Sequence, residues 1–191
     1  SYIWSLVDFI LEVNQPVQLP ELRWIMMVGE AIPVELVKKW NLLFPYCRIL
    51  NGYGPCEASD DVTQYEVLSD FNENQQRVPI GRPIANMNLF VLNQENQLCP
   101  IGVAGELVVS GVGVGAGYYK NPEKTAQAFI DNPFPQTLGK TMYKTGDLGR
   151  WMPDGNLEFL GRIDRQDKIR GHRVELGEIE SFLRKNEKVS S

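Results

Sequence analysis

Between Leu22 and Leu50 the chain alternates short apolar runs with one amphipathic stretch, and this order constrains the architecture more than any other feature. Leu22 to Val28 is an apolar run closed by Gly29, the pattern of a buried strand. Pro33 then stands at the first position of a helix, where its missing N–H costs nothing. Val34, Val37, Trp40 and Leu43 or Phe44 recur along one face of that helix. Arg48 to Leu50 reads as a second strand, followed by a loop over Asn51–Pro55. Strand, helix, strand makes one α/β unit. Its loop leaves the carboxyl end of a strand, where open α/β sheets take their ligands.

From about residue 78 the texture changes. Met87–Leu92, Gly105–Ser110, Asp147–Met152 and Asn156–Leu160 read as short strands, divided by turn signals at Asn93–Asn96 and Pro153–Gly155. A helix over Pro122–Ile130 follows the cap and proline at Asn121–Pro122, and another begins near Glu175. Tyr2 to Leu11 carries apolar residues at helical spacing. The expected class is α/β in the mixed sense, an α/β unit joined to a small β-rich region, without internal repeats.

Several function classes are disfavoured by composition. A net charge of −5 and a pI near 5.0 do not suit phosphate neutralisation, so nucleic acid is not an expected partner. No apolar run approaches the ~20 residues needed to span a bilayer. Ser1 to Leu11 lacks a basic segment followed by a small-residue cleavage site, so no signal peptide is expected. Cys47, Cys56 and Cys99 are odd in number and scattered, which fits a reducing, cytoplasmic setting better than a disulfide framework. They form no Cys/His cluster with His172, so zinc is not expected.

The chemistry-bearing residues fall in three places. In Asn51–Gly52–Tyr53–Gly54–Pro55–Cys56–Glu57 a flat aromatic between two glycines can stack on a base, and a carboxylate can hold Mg²⁺ against phosphate. A tight turn with a satisfied tyrosine is the competing reading. In Tyr143–Lys144–Thr145–Gly146–Asp147 an acid follows a turn at the start of a strand, placed either to accept hydrogen bonds from a ribose diol or to cap the turn. Arg162 and Arg173 flank a compact loop and suit phosphate, although a solvated charged surface is the commoner place for isolated arginines. The alternating Gly111, Gly113, Gly115 and Gly117 lack dinucleotide-fingerprint spacing and read as a bent strand and turn.

Taken in order, these segments resemble the adenylate-forming superfamily of luciferases, acyl-CoA synthetases and peptide-synthetase adenylation domains. The series runs from Asn-x-Tyr-Gly-Pro-x-Glu through Gly105–Glu106–Leu107, Gly117–Tyr118 and Tyr143–Asp147 to Gly161–Asp164 and Lys168–Glu180. The ending Val174–Glu180 and the Gly29–Glu30 pair are similar to the amino-acid adenylation domains of nonribosomal peptide synthetases.

The resemblance implies an enzyme that uses ATP and Mg²⁺ to turn an amino acid into an aminoacyl adenylate. It then passes the acyl group to a thiol on a carrier (thiolation) domain bearing phosphopantetheine, with a condensation domain as a further partner. It implies that residues 1–163 are the C-terminal part of the large subdomain, and that residues 164–191 are the hinge and the start of the small α+β subdomain. By position, Tyr53 would stack on adenine with Asn51 at its edge, Gly52 and Gly54 alongside, and Phe159 nearby. Glu57 would bind Mg²⁺, Asp147 the ribose hydroxyls, and Arg162 ribose or phosphate. Asp164 would be the hinge, with Lys168 and Arg173 on a mobile loop beyond it.

Cys56 stands where the family usually has Thr, Phe159 where Tyr is common, and Ala116 where Arg precedes Gly117. The phosphate-binding loop and the adenylating lysine are expected outside the chain, which leaves no catalytic residue expected within it. An acyl-CoA synthetase or another acid–thiol ligase of the superfamily is the alternative, and a non-catalytic nucleotide-binding piece is a second.

By the same resemblance Met26, Val28, Gly52, Asp60 and Asp61 fall at substrate-pocket positions. Met26 and Val28, two apart at the end of a buried strand, would form one apolar wall. Only one of two adjacent aspartates can face inward. A carboxylate there favours a basic side chain, unless water or a backbone amide meets it.

Overall fold

The computed structural model describes residues 6, 7, 9, 10, 12, 17–67, 77–134, 136–163, 166–169 and 172–175. It is a mixed α/β structure with two main sheets. The first sheet has the order β1 (Trp24–Met27), β2 (Arg48–Tyr53), β3 (Thr63–Val67), β4 (Arg82–Pro83). β1 and β2 are parallel, in register from Trp24↔Arg48 to Met27↔Asn51, and helix α1 (Val34–Leu43) connects them. Pro33 takes the cap position, extended at φ −70°, just before the helix rather than inside it. Val34, Leu36, Val37 and Trp40 are the buried face of α1. Leu36, Val37 and Trp40 pack with Met27, Ile49, Phe44 and Val67, and the Trp40 and Phe44 rings lie 4.7 Å apart.

β2 runs three residues further than its sequence pattern suggests. Asn51, Gly52 and Tyr53 belong to the strand and pair with Tyr65, Gln64 and Thr63 of β3. The strand β3 is absent from the sequence reading because Thr-Gln-Tyr-Glu-Val has little apolar content, and its cross-strand partners supply the order instead. β1 is less buried than its apolar run suggests: it buries Met27, while Met26 and, just beyond the strand, Val28 are 41% and 48% exposed.

The second sheet has the order β5 (Met87–Leu92), β6 (Gly105–Gly111), β8 (Thr141–Trp151), β7 (Phe129–Asp131), with β9 (Leu157–Arg162) also on β8. Leu89, Val91, Leu107, Val109 and Leu157 fill its inner face and meet Ala58, Val62 and Ile80 of the first half. Backbone bonds join the halves, among them Ile80 N–H to the Leu157 carbonyl and Leu157 N–H to the Gly81 carbonyl, both 2.8 Å. Gly81 makes the crossing possible: its φ is +81°, and a Cβ there would lie 1.9 Å from the Gln64 carbonyl oxygen.

Helix α2 (Pro122–Ala128) is shorter than its sequence pattern, because Phe129 and Ile130 leave it to form β7. Its cap is as expected, with Asn121 Oδ1 accepting from Lys124 N–H at 3.0 Å. Asn121→Ala should lower the unfolding free energy by about 1 kcal/mol in a denaturant titration, the usual worth of such a cap.

Near the end, β10 (Gln166–Ile169) and β11 (His172–Glu175) form an antiparallel pair with Lys168 opposite Arg173. Those two residues therefore stand on paired strands, not on a loop, and Glu175 closes a strand. Asp164 and the helix expected beyond Glu175 lie outside the described residues. Among the described residues no helix is long and apolar enough to cross a membrane.

Candidate functional site

The end of β2 carries the first group of candidate residues. Asn51 is 2% exposed, and its Nδ2 donates to the Pro79 carbonyl at 2.7 Å. Thr63 Oγ1 donates to the Ile80 carbonyl at 2.6 Å, so side chains of β2 and β3 both hold the 77–80 segment beside the strand end. Tyr53 reaches the other way. Its hydroxyl donates to Asp147 Oδ2 at 2.6 Å, and its ring centroid lies 6.1 Å from that of Phe159. Burial, and then the Asp147 charge, push the Tyr53 hydroxyl well above its ordinary pKa, so it remains a donor.

Asp147 owes its position to a bulge. Glu106 pairs with Leu148 and Val108 with Lys144, so residues 145–147 of β8 face only Leu107 of β6. Gly146, at φ +72°, absorbs the extra length. The acid thus sits within an eleven-residue strand, where sequence suggested a turn before a strand. Thr145 Oγ1 donates to the Leu107 carbonyl at 2.7 Å and accepts from Asp147 N–H at 3.0 Å. Glu106 Oε1 accepts from Gly146 N–H at 3.1 Å, and its Oε2 pairs with Lys144 at 3.1 Å. Arg162, brought alongside by the β8–β9 pairing, donates to Asp147 Oδ1 at 2.9 Å and to the Thr145 carbonyl at 3.0 Å. Both Asp147 oxygens are therefore oriented before any ligand arrives.

A cavity of about 480 Å³ opens between the two halves. Asn51, Gly52, Tyr53, Gly54, Asp147, Phe159 and Arg162 line it together, although they come from opposite ends of the chain. Sequence reasoning did not assign Glu30, Arg77, Val78, Ile80 and Gly161 to this lining. Glu30 carried a signal in the Gly29–Glu30 pair after β1, and Gly161 in the Gly161–Asp164 motif. Arg77 precedes an unremarkable Val-Pro-Ile run and gave none. An aromatic pair, a carboxylate with its arginine, and glycines that admit close backbone approach suit a nucleoside.

Glu57 does not line this cavity. It sits in a 3₁₀ turn (Cys56–Ala58), where its carbonyl accepts from Gly115 N–H at 2.9 Å and its Oε1 accepts from the Tyr118 hydroxyl at 2.8 Å. Among the described residues no three His, Cys, Asp or Glu side chains gather to hold a metal. The second oxygen of Glu57, Oε2, is buried. Mg²⁺ that arrives on phosphates keeps waters and needs only one or two protein carboxylates, so Glu57 would reach such an ion only by turning its side chain.

The proposed substrate positions meet at Gly52. A Cβ on it would lie 2.6 Å from Val28 Cγ1, 2.9 Å from Met26 Cε and 2.9 Å from Asp61 Oδ1. These three side chains thus converge over Gly52 and fill the space that a Cβ would need, and none of the three lines the cavity. Asp61 is the inward acid. Its Oδ1 is buried with no hydrogen-bond partner among the described residues, whereas Asp60 is exposed at φ +72°. Burial, and then the Asp60 charge, raise the Asp61 carboxyl above its ordinary range.

The family described as "AMP-binding enzyme" matches residues 3–119 of the chain. Tyrocidine synthase 3 of Brevibacillus parabrevis is 44% identical over 98% of the chain, which spans 3% of that protein's length. Among solved structures, PA1221, a nonribosomal peptide synthetase protein with adenylation and carrier domains, superposes with a TM-score of 0.84 at 30% identity, over 94% of this chain and 31% of that one. The adenylation domain AlmE of Vibrio cholerae, solved with glycyl-adenosine-5'-phosphate, gives 0.81 at 30% identity over 98% of this chain and 35% of its own.

Proposed function

The chain belongs to the AMP-binding enzyme family, and on that premise we propose that it is part of the amino-acid adenylation domain of a nonribosomal peptide synthetase. The carrying observation is the convergence of Tyr53, Asp147 and Arg162 on one cavity between the halves. In the proposed reaction a carboxylate oxygen of the amino acid attacks the α-phosphorus of ATP. The bond to the bridging oxygen breaks, and pyrophosphate leaves with the electron pair. A carrier-domain phosphopantetheine thiol then displaces AMP.

Each residue has a role of binding or orientation. Tyr53 and Phe159 flank the adenine, Asn51 fixes the strand edge beside it, and Gly52 and Gly54 line the cavity next to it. Asp147, held by Tyr53 and Arg162, accepts from the ribose diol, and Arg162 extends toward phosphate. Glu57 would hold Mg²⁺, which supplies charge neutralisation on the phosphates. Catalysis of this kind rests on positioning and fixed charge.

The substrate side chain would enter beside Gly52 by displacing the Met26 and Val28 side chains, which would then lie against its stem, with Asp61 at its end. A buried carboxylate oxygen without a partner favours a cationic side chain, such as that of ornithine, lysine or arginine. Asp60 lies outside this contact. The proposed division places residues 1–163 in the large subdomain and residues 164–191 at the start of the small one. Asp164 would serve as the hinge, and the Lys168–Arg173 strand pair would turn with the small subdomain. Carrier and condensation domains of a cytoplasmic synthetase are the proposed partners.

The test is ATP–pyrophosphate exchange by the complete parent protein. Exchange that depends on an added amino acid is expected. Exchange driven only by fatty or aryl acids would replace this reading with an acid–CoA ligase.

A further inference from the structure

The bulge that places Asp147 carries backbone groups that the β6–β8 ladder no longer pairs. Between the pairs Glu106↔Leu148 and Val108↔Lys144, residues 145–147 have only Leu107 opposite them. Polar backbone groups left there without partners would be costly, and each one has a substitute. Toward β9, the Gly146 carbonyl accepts from Ile163 N–H at 2.8 Å and the Thr145 carbonyl from Arg162 at 3.0 Å. Toward β6, side chains replace the ladder. Thr145 Oγ1 donates to the Leu107 carbonyl at 2.7 Å and accepts from Asp147 N–H at 3.0 Å. Gly146 N–H donates to Glu106 Oε1 at 3.1 Å, while Glu106 Oε2 pairs with Lys144 at 3.1 Å.

These two side chains differ in what they hold. Thr145 lies inside the bulge and moves with it. Glu106 stands outside it, on a strand paired on both edges, with Leu92 on one side and Leu148 on the other. Its carboxylate therefore ties the bulge to fixed ground, although Glu106 does not line the cavity. Gly146 needs such a tie. It sits at φ +72°, and glycine enters positive and negative φ about equally, so its own preference does not select this conformation. We infer that Glu106 is a positioning residue for Asp147: by accepting from Gly146 N–H it fixes the bulge, and with it the place where the Asp147 carboxylate meets the ribose diol. The inference rests on the proposed ribose role of Asp147.

The experiment titrates ATP into the complete adenylation enzyme by calorimetry, without amino acid so that no adenylate forms. It is repeated with 2′,3′-dideoxy-ATP, which lacks both ribose hydroxyls. Wild type should bind ATP more tightly than the dideoxy nucleotide, and Asp147→Ala should abolish the difference. Glu106→Ala is expected to weaken ATP by about 10-fold and the dideoxy nucleotide by no more than about twofold, as loss of a hydrogen bond between ribose and Asp147 implies. Glu106→Gln keeps an acceptor for Gly146 N–H, and Lys144→Ala removes only a partly exposed ion pair, so each should stay within about twofold of wild type for both nucleotides. Glu106→Asp is too short to reach Gly146 but keeps the charge, and it gives the same reading if the alanine variant does not fold. Equal weakening of the two nucleotides overturns the inference in favour of a generally loosened sheet. Wild-type ATP affinity in these variants, with weak binding by Asp147→Ala, also overturns it, since the bulge then holds itself. A wild type that binds both nucleotides alike, or an Asp147→Ala enzyme that still separates them, removes the ribose role of Asp147 and the inference falls with it.

Discussion

Replacing Asp147 by alanine in the complete enzyme is expected to weaken ATP binding by about 1.5–3 kcal/mol, roughly 10- to 150-fold, because hydrogen bonds to a charged acceptor are lost. The carboxylate is 8% exposed and preset by Tyr53 and Arg162, so little ordering cost offsets what it contributes to a ribose diol. The same change leaves the partly buried Arg162 beside the Thr145 carbonyl without this carboxylate, and stability should fall by about 1–3 kcal/mol. Asp147→Asn separates the two effects, since it keeps the shape and an oxygen for Tyr53. Calorimetric titration of nucleotide, alongside a thermal melt, reads both quantities. Unchanged nucleotide affinity in a folded Asp147→Ala enzyme would remove Asp147 from the ribose site.

The second large effect concerns Asp61. If its carboxylate receives a cationic side chain, Asp61→Asn should cut kcat/KM for the preferred basic amino acid by about 100-fold, as loss of a buried charge-assisted contact implies. Neutral amino acids of similar length should lose little. The pH dependence has a definite sign. Because the Asp61 carboxyl titrates above the ordinary range, recognition of the cation should weaken on acidification before an unshifted carboxylate would protonate. Stability without substrate runs the other way. The folded state holds this proton more tightly than the unfolded chain, so stability is lost as pH rises from the ordinary carboxyl value through the raised one. Asp61→Asn should therefore melt higher than wild type at neutral pH while losing its substrate. An exchange panel in which neutral substrates dominate, with a ranking that Asp61→Asn does not change, would dismiss charge selection.

Legibility from sequence followed the physics of each segment. The β1–α1–β2 unit was readable because its apolar periodicity is strong, and the α2 cap was readable because Asn121–Pro122 is a local signal. Tyr53, Asp147 and Arg162 could be named individually, but their meeting could not be read locally. It depends on the β6–β8 bulge and on the Gly81–Leu157 crossing, both long-range pairings. β3 and β7 were missed for the same reason, since polar or very short strands are specified by neighbours rather than by their own pattern. The choice between Asp60 and Asp61 also needed backbone geometry: the left-handed φ at Asp60 accompanies an exposed side chain, and its neighbour turns inward. Arg77 lines the cavity with no local signal to mark it.

The most direct test of the proposed site is a crystal structure of the parent adenylation domain with a hydrolysis-resistant aminoacyl-adenylate analogue. The account predicts the ribose hydroxyls in hydrogen-bond contact with Asp147, the adenine against Tyr53 between Asn51 and Phe159, and the amino-acid side chain beside Gly52, directed toward Asp61, with Met26 and Val28 moved aside. An adenylate bound away from the Tyr53–Asp147–Arg162 cavity would contradict it.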